Sequence, residues 1–174
     1  FIYAVFVSLT DMQISRPQLV SSFIGLRNYL DLFTGYRFWN SFKVTFVFSF
    51  FALLFELSIG FGLAYLLKDK FRGRQIVIAL LIAPIVIPPI VSGLTWRFMY
   101  DANIGFINYL IGFFGVNAQA WLGSSSLALP AIIITDIWQW TPFVMLVILS
   151  GIQAIPIEPI EAARIDGASN WQIL

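Results

Sequence analysis

Three continuous apolar runs, at about residues 42–67, 76–99 and 127–149, decide what this chain can fold into. Crossing roughly 30 Å of hydrocarbon takes about 20 helical residues, and each run is long enough. The bilayer core admits only helices or closed barrels, because every backbone polar group must be paired internally. Barrel strands alternate apolar and polar residues; these runs do not alternate. The expectation is an all-α, polytopic transmembrane helical bundle. Composition agrees: 59% of residues are apolar and 11% charged, with a mean hydropathy of +0.86. Soluble domains carry about a quarter charged residues.

The same numbers exclude several functions. Net charge is +1, which gives no basic field for nucleic acid. The chain has no Cys and no His. That removes disulfides, thiolate sites, the commonest metal ligand and the commonest general base. No metal site and no catalytic residue is expected. Residues 1–9 are apolar but too short to span, and resemble the end of an earlier span. The chain reads as a single transmembrane domain over 1–174, truncated at both ends.

Four polar segments separate the runs, at 10–40, 68–74, 100–126 and 150–174. Lys68, Lys70, Arg72 and Arg74 crowd the second, whereas the third holds Asp101 and no Lys or Arg. Lysine and arginine favour cytoplasmic loops. Residues 68–74 are therefore expected inside and 100–126 outside. Alternation then puts 150–174 inside and 10–40 outside. Residues 10–43 also hold Arg16, Arg27, Arg37 and Lys43, so density rather than total carries the argument.

Some residues break the rules of a membrane span. Pro84, Pro88 and Pro89 stand close together in the second run. Each lacks a backbone donor and clashes with the preceding turn, so the helix is expected to kink or unwind there. Compensated packing and a broken segment lining a pathway both fit that pattern, and they are compatible. Asp136, Trp138, Gln139 and Trp140 lie in the third run. A mid-span carboxylate costs on the order of 2.5–3.5 kcal/mol to insert, so it faces a cavity or a partner. Trp offers a flat apolar face, and Asp and Gln bind hydroxyls, a mixture suited to sugars. Asp136, Gln139 and Trp140, at i, i+3 and i+4, share one helical face. Structural pairing of Asp136 and packing of the two Trp residues is the competing reading. Glu56 lies deep in the first run, where a pairing or protonated structural role suits it better than a pathway role. Nothing in the sequence places it beside Asp136. Ser58, Gly60, Gly62 and Ala64 form two interleaved small-xxx-small pairs that suit close helix packing.

The C-terminal segment is polar and mostly helix-prone. Pro156 and Pro159 suit a helix start. Glu161 is expected in the first turn, favourable for the dipole. Ala162 and Ala163 are strong helix formers. Asp166-Gly167 suits a stop and turn, with a second helix from about Ala168. A short helix with small side chains can dock in a partner's groove.

Glu161-Ala162-Ala163 followed by Asp166-Gly167-Ala168 resembles the EAA loop of ABC importer permeases. The likeness extends along the chain. Phe23, Gly25-Leu26, Asn28-Tyr29, the Phe71–Arg74 turn, Pro84 with Pro88, Trp96, Gly105, Asn108, Trp138 and Pro142-Phe143 occur in the order of the maltose-type carbohydrate permeases. That resemblance implies a type I ABC importer permease fold, of which this chain is a fragment. It implies no active site and no cofactor of its own, with ATP bound by partner ATPase subunits. It implies a second permease subunit, an external solute-binding protein and a sugar substrate, in the inner membrane. By the same resemblance Asp136, Trp138, Gln139 and Trp140, with Ile85 and Pro89, fall on substrate-contact positions. Glu161, Ala162, Ala163, Asp166, Gly167 and Ala168 fall on the ATPase-coupling loop. Ile85 and Pro89 stand where the maltose permease has polar or aromatic residues, and Asp136 where an amide is familiar, which implies a different sugar.

Three alternatives stand beside this reading. An ABC permease for a polyol, glycerol phosphate or amino acid would share the loop; a phosphate would call for cavity-facing Arg or Lys, and the deep ionisable residues noted above are carboxylates. A secondary transporter would use membrane carboxylates but needs no EAA loop. A membrane enzyme would need a catalytic pair that the sequence does not assemble.

Overall fold

The computed structural model describes residues 1–12, 22–169 and 172. Eight helices follow in order among them: α1 (Ile2–Ser8), α2 (Arg27–Thr34), α3 (Tyr36–Leu66), α4 (Arg74–Val86), α5 (Pro89–Met99), α6 (Phe106–Gly112), α7 (Ala128–Gln153) and α8 (Ile157–Ile165). No strand is formed among the described residues beyond one isolated Thr10–Phe23 bridge. The all-helical expectation holds. Arg16, Pro17 and the helix expected after Ala168 lie largely outside the described residues.

Contacts divide the chain into residues 1–47 and 48–174, the boundary falling inside α3. In the first unit, the Phe23–Tyr29 stretch works as a clamp. The Asn28 side-chain amide donates to the Ser8 and Thr10 carbonyls, at 2.8 and 2.9 Å. These are carbonyls at the end of α1, which have no partner within the helix. Tyr29 and Ser8 pair through their hydroxyls at 2.7 Å. Gly25 makes the preceding turn at φ 59°, where a side chain would be strained. Asp11 accepts from the Ser22 N–H and hydroxyl, which hold its carboxyl below the usual range.

In the second unit α3 and α7 are long and apolar enough to cross a membrane, as the α4–α5 pair is when taken as one bent span. Helix α3 begins at Tyr36, earlier than the run expected from Phe42, because Arg37 and Asn40 lower the hydropathy without breaking the helix. From position 48 onward it buries Ala52, Glu56, Gly60 and Ala64, a stripe at i+4 spacing. Of the two small pairs, Gly60 and Ala64 are buried; Ser58 faces outward and bonds back to Leu54 O. A Cβ on Gly60 would sit 2.8 Å from Val144 Cγ1 and 3.1 Å from the Met145 N, so α3 and α7 approach closely there. Gly60→Val is expected to lower stability by about 1–3 kcal/mol through overpacking. A thermal midpoint of the purified full-length protein equal to wild type would refute that close approach.

The buried cluster of Ala64, Leu67, Met145 and Leu149 draws in Ile78, Leu81, Ile82 and Ile152. It therefore joins the ends of α3 and α7 to the start of α4. Arg74 Nε donates to the Leu67 carbonyl at 2.6 Å, tying the basic loop to the end of α3. Lys68 Nζ lies 3.8 Å from the centre of the Tyr65 ring.

Helices α4 and α5 meet at a 93° bend. Three contacts run the pair along α7, as the two halves of one bent span would. The α4 residues Ile78–Ile82 pack near Met145–Ile152, Pro84 and Ile87 meet Gln139, and Tyr100 Oη bonds the Ala131 carbonyl at 3.0 Å. Contacts thus descend α7 as they ascend α4 and α5. It follows that the 68–74 loop and α8 leave at one end of this bundle, and the 100–126 segment at the other.

Candidate functional site

The site grows from the proline break. Pro84 lies inside α4, Ile87 ends it, and Pro88 and Pro89 start α5. In an unbroken helix the residue 88 N–H would bond the Pro84 carbonyl; proline at 88 has none. Gln139 Nε2 supplies the missing donor, 2.8 Å from Pro84 O and 3.0 Å from Ile87 O. Unwound backbone at membrane depth is tolerated where something re-satisfies it, and here one side chain of α7 does so. Gln139 is 6% exposed, and its Oε1 has no partner among the described residues.

Asp136 turns elsewhere. Its carboxyl lies near the Glu56 carboxyl on α3. Nothing in the spacing of the two runs brings these acids together; the structure does so where α3 and α7 approach closely, near Gly60. The shared face expected for Asp136, Gln139 and Trp140 is also corrected. Gln139 is buried against the break, Asp136 meets α3, and Trp140 is exposed. Residues at i+3 and i+4 lie about 60° and 40° to opposite sides of i, enough to send Gln139 and Trp140 to different neighbours.

Trp138 packs edge-on against Trp96 of α5, with centroids 5.5 Å apart. Trp96 continues to Tyr100, and Tyr100 to Trp121, at 5.3 and 5.8 Å. Trp138 also lines a mid-span cavity of about 330 Å³ with Ile59 and Leu63 of α3, Leu80, Leu81 and Pro84 of α4, and Ile137, Thr141 and Pro142 of α7. Its size is at the small end of ligand pockets. The walls are mainly apolar, and the Thr141 hydroxyl is buried without a partner. Of the substrate positions expected from sequence, Trp138 reaches this cavity. Ile85 is half-buried and Pro89 exposed, and neither lines it. Arg97, in the last turn of α5, is an exposed cation inside the 76–99 run, in addition to the carboxylates of the other runs.

At the opposite end α8 is capped by Pro156, and Glu158 occupies its first turn. Glu161 is one turn later than expected, because the helix starts at Ile157 rather than beyond Pro159. The stop is as expected. Gly167 has φ 83°. The Ala168 N–H bonds Ala163 O at 2.9 Å and the Gly167 N–H bonds Arg164 O at 3.1 Å. This is a Schellman cap. Glu161, Ala162, Asp166 and Gly167 are exposed, while Ala163 and Ala168 are half-buried. Ile165 is 86% exposed, an apolar side chain with no cover among the described residues.

Comparison with known proteins assigns this arrangement. Residues 56–174 match the model of the binding-protein-dependent transport system inner membrane component family. The chain is 41% identical over 150 residues to the trehalose/maltose transport system permease protein MalF of Thermococcus litoralis, covering 86% of this chain and 51% of that protein. It is 37% identical to the probable ABC transporter permease protein y4oQ of Sinorhizobium fredii, covering 99% of this chain and 55% of that one. The chain spans about half the length of the curated relatives it matches. Its fold superposes on the crystal structure of a bacterial ABC transporter involved in import of the acidic polysaccharide alginate, with TM-score 0.76 and 27% identity over 99% of this chain and 59% of that one. With membrane-spanning helices, a proline-broken span and a capped, exposed helix after the last described span, the chain belongs to the family of binding-protein-dependent transport system inner membrane components.

Proposed function

We propose that the protein is the permease subunit of an ATP-driven sugar importer, forming half of the translocation pathway. The observation that carries this reading is α8. It follows the last described span, leaves at the basic-loop end, is firmly capped, and has its apolar Ile165 uncovered. A helix of this kind suits docking to an ATPase subunit, with Glu161, Ala162, Ala163, Asp166, Gly167 and Ala168 forming the coupling surface. On this reading residues 68–74 and 150–174 are cytoplasmic and 10–40 and 100–126 external. ATP is bound by the partner; the permease holds no cofactor and catalyses no reaction itself. A second permease subunit and an external binding protein complete the assembly.

The sugar assignment is supported by the likeness to a trehalose/maltose permease. Asp136, Trp138, Gln139, Trp140, Ile85 and Pro89 remain the proposed substrate-facing set, in two roles. Trp138, at the cavity, contacts the sugar. Gln139 and Asp136 act first as ties to the break and to α3.

Isolation of the full-length protein from its native membranes in mild detergent tests the assembly. Mass spectrometry is expected to find an ATPase, a second permease and a binding protein with it; emergence without an ATPase would overturn the reading. Trp138→Ala is expected to lower sugar uptake about tenfold with assembly intact, equivalent to about 1.4 kcal/mol of lost contact. Unchanged uptake would remove Trp138 from the pathway.

A further inference from the structure

Helix α6 is built inside out. In a water-soluble fold an amphipathic helix turns its apolar stripe inward. Here the residue α6 buries is the polar Asn108, while Phe106, Tyr109 and Phe113 are 53%, 65% and 70% exposed. Phe114, just beyond, is 86% exposed. Asn108 is buried for a reason. Its Nδ2 donates to the Asp101, Ala102 and Gln119 carbonyls, at 3.2, 3.1 and 3.0 Å. Its Oδ1 accepts from the Gln119 N–H at 3.0 Å and from Trp121 Nε1 at 2.9 Å. The polar face is thus spent on holding the loop together, and the aromatic face is held outward by design of the same network.

Its level in the fold is also constrained. Span α5 ends at Met99, and α6 begins at Phe106. The link is folded tightly: the Gly105 N–H bonds Asp101 O, and a Cβ on Gly105 would collide with the Asp101 and Met99 carbonyls. The helix therefore stays close to the end of α5. Asp101 is the charge in residues 100–126. It accepts from the Asn103 and Ile104 N–H groups, which hold its carboxyl below the usual range. The outward face itself is uncharged.

We propose that α6, through Phe106, Tyr109, Phe113 and Phe114, is an interfacial helix immersed in the outer bilayer surface, its occupant being lipid. Aromatic side chains concentrate at membrane–water interfaces, and helices with one apolar face lie in that plane. Helix–helix contacts in membranes instead favour small residues that let backbones approach; this face is made of large rings. The absence of Lys and Arg makes the attachment apolar, independent of anionic headgroups. The inference needs the spans and rests on the proposed external placement of residues 100–126, but not on the identity of the substrate.

The sequence has no cysteine, so single labelling sites can be introduced in it. Spin labels at Y109C, F113C and F114C, with N117C as a loop control, are to be read in the full-length protein reconstituted in phosphatidylcholine bilayers. Collision with oxygen is expected to exceed collision with a water-soluble nickel chelate several-fold at 109, 113 and 114, reversed at 117. Adding anionic lipid is expected to leave the ratios unchanged. Free nickel access at the three sites would make α6 solvent-exposed, and protection from both reagents would mean a protein covers it. Either result overturns the proposal. Quenching of a fluorophore at the same sites by brominated lipid provides an independent reading, expected at 109, 113 and 114 and not at 117; its absence from all four would also overturn it.

Discussion

Replacing Gln139 by Leu is expected to destabilise the membrane bundle at the proline break. The side chain is close to isosteric, so packing is largely kept. What goes is the donor to Pro84 O and Ile87 O. Pro84 O retains the Ile87 N–H at 3.2 Å, and the Ile87 carbonyl loses the amide. A buried acceptor left unpaired costs about 1–3 kcal/mol, and the bilayer offers no water to replace the bond. The expected outcome is a clear fall in the thermal midpoint of the purified full-length protein, with faster proteolysis near the break. A Gln139→Leu protein as stable as wild type would mean that the bend holds without the amide. Trp138→Ala, one residue away, gives up the ring contact with Trp96 and is expected to reduce uptake with the assembly still intact, which separates the pathway from the tie.

Gly167→Val is expected to abolish coupling between ATP hydrolysis and uptake. The cause is backbone conformation and not size, because nothing lies within 4 Å of a Cβ placed there. At φ 83° an L-residue costs about 1–2 kcal/mol, and a β-branched one more. The Schellman bonds from Ala168 and Gly167 to Ala163 and Arg164 are then lost, and the coupling surface with them. A ranking follows that steric bulk would not give. Asn visits the left-handed region readily, so Gly167→Asn is expected to retain more coupling than Gly167→Ala, and Ala more than Val. Uptake per ATP hydrolysed, measured in proteoliposomes with the complete assembly, checks it. Equal coupling in all variants would remove the turn from the lever.

Much of the fold was legible because hydrophobic length is a local property. The apolar runs gave the spans, and Pro84, Pro88 and Pro89 gave the break. The Asp166-Gly167 pair gave the stop of α8, since the left-handed turn is encoded by one glycine. The direction in which each polar residue of α7 points was not legible. Asp136, Gln139 and Trp140 have spacings that suit one binding face, and only the register of α7 against α3 and the break sends Asp136 to α3, Gln139 to the break and leaves Trp140 exposed. The Glu56–Asp136 contact depends on the same register. Helix α6 was missed because it is short and its pattern reads as ordinary loop. Its signal was present in Asn108 and Trp121, two polar-capable residues in an uncharged segment, which pair in the structure.

The acceptors that Gln139 holds are main-chain carbonyls. The tie therefore reads no side chain in the segment it fixes. Positions such as Ile85 can change identity over evolutionary time without loosening the bend, so long as the prolines and the amide persist. A lineage can thus vary the side chains of the bend while inheriting an intact hinge, and local sequence is free to diverge faster than architecture.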